Sequence, residues 1–561
     1  MDRKLKSRLK ELYPGCQNEL GHCFLVRSLD WCRPGGKIGF ITQSSLLSLP
    51  SARAVREKLL LYTVLDGVTA LGAGVFPLLS GEKADSFILI ATKQEALKET
   101  AVKEVRYTDL RNVQEKAQVL CNIMDGKISF PFLIRRQEDF ASDANLTFNF
   151  KRPRAANLLY AKLPRLGSLA EIKQGLATSN NERFVRYFWE VSPEQVGKDW
   201  QPYIKGKGTT RWYHPLEHVV LWQNDGEAVK EAVNKAYPYL KGKVQWVVKN
   251  EDYYFKPGLT FSFVNASALA VRQMPAGCIF DVGGSAIFPT MIDEHLLLAY
   301  LNSGLAITFA QDINPTINYQ VGDLKQIPVP QFAGQIKEDL IALCKESIET
   351  SKNLYYLDAP YMARQKKEDL RIDNESYQSY RKAQHLCQEK QIELDGRNDE
   401  AVLKAAAEGL TLNENTEILS WMESLWRQEA QKPKAKEDYA LAQLVAAIMQ
   451  TVFFAEENKA ITFDEIAALI TIDQDFLKEA FGQDVQIYLH QKLNEKLKVY
   501  FSQQPPFFTL AAAGTTYFIP FIEFQKNTLQ NLPPTLAGKL DALRRQLPAE
   551  ARARQLFELL D

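Results

Sequence analysis

The stretch DSFILIAT, residues 85–92, constrains the fold most: an uninterrupted apolar run of strand length predicts a sheet strand covered on both faces. The residues before it supply the rest of an α/β pattern. Leu20, Phe24, Leu25, Leu29 and Trp31 recur at helical spacing, Pro34-Gly35-Gly36 stops the chain, and IGFIT at 38–42 follows as a strand. A second helix at 51–61 leads into VLDGV at 64–68. Three strands and two helices leave a sheet edge and both faces incompletely covered, which predicts further sheet elements upstream.

At about 150 residues per domain, the 561 residues predict three or four domains. The 68 basic and 68 acidic side chains cancel, so a nucleic-acid surface has to be local. It is found in residues 151–260, where 18 Lys and Arg face 11 Asp and Glu. Seven cysteines without paired spacing indicate free thiols. With a charged N-terminus and no apolar run long enough to span a bilayer, the expected location is cytoplasmic, with no membrane partner.

Beyond residue 150 the texture changes to short β-type runs with frequent turn signals, as far as about 335. Residues 336–438 read as charged helices with a flexible turn at Asp395-Gly396, a spacer between domains. Residues 439–561 read as helices followed by a hairpin, a winged-helix-like order.

Several of these segments together resemble one family. PGGKIGFIT at 34–42, followed by AVREKLL at 54–60, is similar to the second half of the catalytic domain of adenine-specific, amino-methylating DNA methyltransferases, most of all the large methyltransferase of bacteriophage-exclusion (BREX) defence systems. LAEIKQGLATSNNERFVRYFWEV (169–191), the segment 207–222 leading into QNDG, YYFKPGLTFS (253–262), VRQMPAGCIFDVGGSAIFP (271–289) and NPTINYQVGDLKQIPVP (314–330) resemble its target-recognition region in the expected order. The resemblance implies an α/β plus α+β chain. Residues 1–105 would be the C-terminal portion of a Rossmann-like methyltransferase domain, 106–160 a linker and 161–335 a β-rich target-recognition domain. Beyond the resemblance, which ends near 335, the residue patterns place a helical spacer at 336–438 and a helical, winged-helix-like domain at 439–561.

It also implies S-adenosyl-L-methionine as cofactor of the complete enzyme and double-stranded DNA as partner. Two family features are missing from the sequence: the glycine-rich turn that holds the methionine half of the cofactor, and the [N/D/S]-P-P-[Y/F] tetrapeptide. In the family that tetrapeptide accepts hydrogen bonds from the adenine amino group and stacks on the flipped base. No catalytic residue is therefore assigned to this chain, which is expected to be inactive without an N-terminal methyltransferase half. Gln504-Pro505-Pro506-Phe507 imitates the tetrapeptide but reads as a proline turn, and Gly72-Ala73-Gly74 imitates a phosphate loop without the helix that should follow.

Phe76, in the loop before the last catalytic hairpin, matches the position of a family aromatic that packs on the extruded adenine; a core phenylalanine is the competing reading. Lys83 and Glu82 in that loop read as exposed charge. For DNA contact the candidates are Lys173, Gln174, Thr178, Asn180, Asn181 and Arg183, then Lys205, Lys207, Thr209 and Arg211, with Gly175 and Gly208 allowing close backbone approach. Asn314, Thr316, Asn318, Gln320 and Asp323 form a third polar cluster, either a DNA contact through Asn318 and Gln320 or a turn bonded to itself. Phe184, Tyr187, Phe188, Trp189, Trp212 and Trp222 read as a β-domain core. His214-Pro215-Leu216-Glu217-His218 fits the H-x-x-E-H zinc pattern, yet proline after the first histidine and strand-like flanks argue against the helix that pattern requires, so no metal is assigned.

The sequence thus predicts the C-terminal part of a site-specific adenine-N6 DNA methyltransferase of a defence system. A second expectation is a non-catalytic specificity subunit serving other defence proteins; a third is a degraded enzyme without a partner.

Overall fold

The computed structural model describes residues 3–520, apart from 73–74, 76–84, 95–102, 143–145, 265–267, 315–317, 363–370, 409, 426–434, 453–460, 501–506 and 513–514. The first body is a five-stranded sheet. Its strands are β1 (Lys37–Gln43), β2 (Thr63–Gly72), β3 (Ser86–Lys93), β4 (Glu104–Asp109) and β5 (Phe132–Arg136), in the order β1-β3-β2-β4-β5. The apolar run β3 lies antiparallel between β1 and β2, with Leu89 opposite both Phe40 and Val68. β4 adds parallel to β2, and β5 antiparallel to β4.

Among the described residues, one face of β3 is covered. Phe87, Leu89 and Ala91 are fully buried in one cluster with the helices Leu20–Trp31 and Arg53–Tyr62. On the other face Ile41, Ile90, Phe132 and Ile134 are exposed, so the expectation of a doubly covered strand fails among the described residues. The expected linker 106–160 is also corrected. The alternation in EVRYTD buries Val105 and Tyr107 as a sheet strand, Tyr107 stacks on Phe150 at 4.7 Å, and Phe140 and Phe148 close the same cluster. Helix Arg154–Lys162 turns its Ala155, Ala156, Leu159 and Tyr160 into the next core.

That core lies against the first of two four-stranded sheets, while the second packs Tyr203, Val220 and Phe280 into a core of its own. One is ordered β11-β10-β13-β6 and the other β12-β8-β9-β7, from β6 (Ala170–Lys173), β7 (Val185–Tyr187), β8 (Trp200–Ile204), β9 (His218–Leu221), β10 (Gly258–Phe261), β11 (Val271–Met274), β12 (Ile279–Phe280) and β13 (Ala286–Pro289). The helices Glu294–Leu301 and Gly304–Ile313 are capped by the side chains of Asp293 and Ser303 and are buried almost all round, which accounts for their apolar sequence. No single helix among the described residues is long and apolar enough to cross a membrane.

The charged segment 336–438 is no detached spacer. Helix Gly334–Asp358 contributes Leu340 and Cys344, helix Asn374–Ala406 contributes Val402 and Ala406, and helix Leu412–Leu425 contributes Ile418 and Trp421 to the core of the β region. Asp395 and Gly396 lie inside a continuous helix, not in a turn, because the Asp395 carboxylate faces inward and accepts hydrogen bonds there. The later residues build a separate core from helix Lys436–Val452 and a hairpin of Phe507–Ala512 with Thr515–Pro520, to which Ile461–Thr462 adds a third strand.

Candidate nucleic-acid interface

The first two candidate clusters come together because of one acidic side chain that the pattern reading did not assign. β12 pairs parallel with β8, and a bridge joins Leu176 to Asp281, so 174–178, 203–207 and 279–283 lie side by side. Asp281 accepts from the Tyr203 hydroxyl at 3.0 Å, from Lys205 Nζ at 3.2 Å and from the Gly283 amide. The Tyr203 hydroxyl is also 3.2 Å from the Leu176 carbonyl, and burial pushes it well above the usual phenol range.

Beside this junction a cleft opens between β8, β9, β10 and β11, lined by Lys205, Lys207, His214, Glu217, His218 and Arg272. Lys207 is paired with Glu217, whose other oxygen accepts from Tyr355 at 2.7 Å. Burial works against the Glu217 carboxylate, but Lys207, His214 and these hydrogen bonds outweigh it and hold the group below its ordinary range. Burial, reinforced by the neighbouring lysines, lowers His214 to about 4 and His218 to about 3. Both imidazoles are neutral at pH 7. His214 lies on a loop and His218 opens β9, so the helical face required by a zinc-peptidase pair is absent, as the proline and flanks implied.

The sequence candidates have different surroundings. Asn180, Asn181 and Arg183 are exposed, on and just before the short helix Asn181–Phe184, with Asn180 Oδ1 capping the Arg183 amide at 3.0 Å. Thr209 and Gln320 are exposed as well. Lys173 is half-buried, bonded to Glu171 at 2.7 Å and set 4.5 Å from the Tyr253 ring centre. Gln174 accepts from Lys249 at 2.6 Å. Two others face inward: Thr178 is buried and donates to Asn181 at 2.7 Å, and Arg211 donates to Asp395 at 2.6 Å and to the Asn302 carbonyl. Internal bonds, not a nucleic acid, explain the chemistry of those two.

Gly175 is corrected too. An added Cβ there would sit 1.9 Å from the Phe280 carbonyl oxygen, so the close approach it permits is to the protein's own backbone. Gly208, at φ +54° with open space around it, keeps the surface reading. In the third cluster Asn314 Nδ2 donates to the Asn318 carbonyl at 2.9 Å and to Asp323 at 2.6 Å, and the Gln320 amide donates to Asp323, a turn bonded to itself. Trp212, Trp222 and Phe184 are buried in the cores of the β region as expected, whereas Trp189, with Tyr187 and Phe188 packed against its cluster, belongs to the core built by the later residues. Phe76, Glu82, Lys83, Thr316 and Gln504-Pro505-Pro506 lie outside the described residues, as does Ala73-Gly74 of the phosphate-loop imitation.

Asp281, Arg272 and Tyr355 carry no signal in the sequence pattern, and Glu217 stands out only within the H-x-x-E-H pattern. Asp281 and Arg272 stand inside the segment 271–289 used for the family resemblance, but nothing in local spacing says that they will meet Lys205 and Thr210, 76 and 62 positions earlier.

The chain is similar over 371 residues, 24% identical, to the adenine-specific methyltransferase PglX of Lacticaseibacillus casei (strain Zhang), an alignment covering 63% of this chain and 30% of that protein. Over 363 residues it is 28% identical to the adenine-specific methyltransferase BrxX of Escherichia coli O9:H4 (strain HS), covering 63% of this chain and 28% of the relative. The chain therefore spans less than a third of the length of these curated relatives. No family model matches it. Among solved structures, the type IIL restriction-modification enzyme MmeI in complex with DNA aligns with 76% of this chain and 55% of its own, at 12% identity and a TM-score of 0.42. The DNA-bound type ISP restriction-modification enzyme LlaBIII aligns with 63% of this chain and 28% of its own, at 14% identity and a TM-score of 0.34. The resemblance of the sequence to BREX-type adenine-specific methyltransferases is thus matched by the curated relatives.

Proposed function

We propose that this chain is the C-terminal part of a site-specific adenine-N6 DNA methyltransferase of a phage-defence system. The observation that carries the reading is its similarity over 63% of its residues to two adenine-specific methyltransferases. The first sheet is the end of the Rossmann-like catalytic domain: β3 inserted antiparallel between β1 and β2 suits the closing hairpin of such a sheet. The two sheets at 161–335 are the target-recognition domain, and the exposed Asn180, Asn181, Arg183 and Thr209 with Lys205 and Lys207 are its duplex-facing donors. Phosphate contacts set the register of the duplex, and amide and guanidinium groups read base edges.

S-adenosyl-L-methionine supplies the methyl group in the complete enzyme. Neither glycine offered for close backbone approach fits that cofactor: Gly175 is committed to protein packing, and Gly208 stands open without a following helix. No step of methyl transfer is assigned to this chain. It holds and orients the duplex and supports the extruded base through Phe76, while the catalytic tetrapeptide and cofactor turn are contributed by sequence outside residues 1–561. Full-length duplex binding with recovery of methylation on adding the upstream polypeptide is the test. Duplex binding without any such recovery favours the specificity-subunit reading instead.

A further inference from the structure

The cleft between the two recognition sheets carries a charge that its own residues do not balance. Lys205 is paired with Asp281, Lys207 with Glu217, and both histidines are neutral. Arg272, on β11, is 2% exposed. Its Nη1 donates to the Thr210 carbonyl at 3.0 Å and to Ser262 Oγ at 3.3 Å, but its buried Nη2 has no hydrogen-bond partner. Burial lowers the guanidinium only to about 10, so it stays charged. A buried cation with an unfilled donor and no carboxylate is a costly arrangement unless an anion completes it.

The mouth of the cleft suits a large polyanion. Lys205 and Lys207 have side chains 26% and 31% exposed, against the near-complete burial of Arg272. They stand in the run Lys205-Gly206-Lys207-Gly208, whose glycines put no side chain between the lysines and an approaching strand. The exposed Thr209 follows directly.

We propose that this cleft is an anion subsite that seats one backbone phosphate of the bound duplex, the two lysines contacting its oxygens at the mouth and Arg272 supplying the uncompensated positive charge beneath. The proposal rests on the DNA-recognition reading and adds to it a positioning contact that carries no sequence information. If Arg272 were only a strap between Thr210 and Ser262, its removal would change stability but not the salt dependence of binding.

The test uses the full chain, duplexes of two unrelated sequences, and a series of chloride concentrations. Arg272→Met and Lys205→Met are each expected to weaken binding about tenfold on both duplexes and to reduce the slope of log affinity against log salt by about 1, the loss of one neutralised phosphate. Should Arg272→Met fail to fold, Lys205→Met carries the slope measurement. A third arm titrates inorganic phosphate against the wild type at constant ionic strength; it is expected to raise the melting temperature of the wild type and not of Lys205→Met. Unchanged slopes in folded variants overturn the subsite while leaving duplex recognition standing. Phosphate protection with unchanged slopes identifies a free-anion site and likewise overturns it. A wild type that binds neither duplex overturns the recognition reading itself, and the subsite with it.

Discussion

Arg211 and Asp395, 184 positions apart, form an ion pair at 2.6 Å that fastens a recognition loop to the middle of the helix Asn374–Ala406. The Trp212 indole donates to the other oxygen of the same carboxylate at 3.3 Å, and Gln391 donates to it from one turn earlier. The helix that the sequence offered as a spacer with a flexible turn is therefore a strut against which the β region is set.

Breaking this pair is expected to cost about 3 kcal/mol, since removing one partner leaves a buried charge behind. Asp395→Ala should lower the unfolding midpoint in denaturant strongly, and Arg211→Met combined with it should recover part of the loss. A double-mutant cycle by equilibrium unfolding measures the coupling; additive single effects would contradict the strut.

His214 and His218 predict a stability that falls with acid. Both are bases whose folded values lie below the unfolded value of about 6.5, at about 4 and about 3. Between those limits the unfolded chain binds more protons than the folded one, so the contribution is complete above pH 6.5 and is lost as pH falls toward 4 and then 3. Asp399, raised by burial to about 6, acts in the opposite sense over part of this window. Two groups against one should leave a net loss on the order of 2 kcal/mol between pH 7 and 4.5. Thermal unfolding across that range, repeated with His218→Phe, checks it: the variant should show a flatter profile.

Much of this was legible beforehand. The apolar run at 85–92, the helix at 20–31 and the hairpin near the C-terminus all follow from local period and turn chemistry, and those signals are strong there. Asp395 shows the limit. An acidic residue followed by glycine in a charged stretch reads as a surface turn, and only the arrival of Arg211 and Trp212 from far along the chain makes it an interior acceptor. Gly175 fails in the same way: its need for space was correct, but the neighbour that fills the space is Phe280, 105 positions on. The exposure of Asn180, Asn181 and Arg183 fits a polar run between apolar strands, although Thr178 in the same run is buried and bonds internally.

Gly175 and Gly208 should respond differently to alanine. At Gly175 the new Cβ would collide with the Phe280 carbonyl, and a loss of about 2 kcal/mol is expected from the forced backbone shift. At Gly208 only the left-handed backbone opposes a side chain, at about 1 kcal/mol. Denaturant midpoints of the two variants give the comparison, with duplex affinity expected to change at Gly208 and stability chiefly at Gly175.

Arg183 is exposed at the end of a self-capped helix, so Arg183→Ala is expected to leave the unfolding free energy unchanged within about 0.5 kcal/mol. Duplex affinity should drop by about 1–3 kcal/mol if the guanidinium reads a base, and the loss should then be confined to the cognate sequence. A uniform loss on every sequence with a smaller salt slope would make it a phosphate contact instead.

The central claim is that recognition resides in this chain and methyl transfer does not. Transfer of label from S-adenosyl-L-methionine to a host-type duplex, by the purified chain alone and after mixing with the polypeptide encoded immediately upstream, tests it directly. The account predicts no transfer by the chain alone and adenine methylation in the mixture. Methylation by the isolated chain would contradict it.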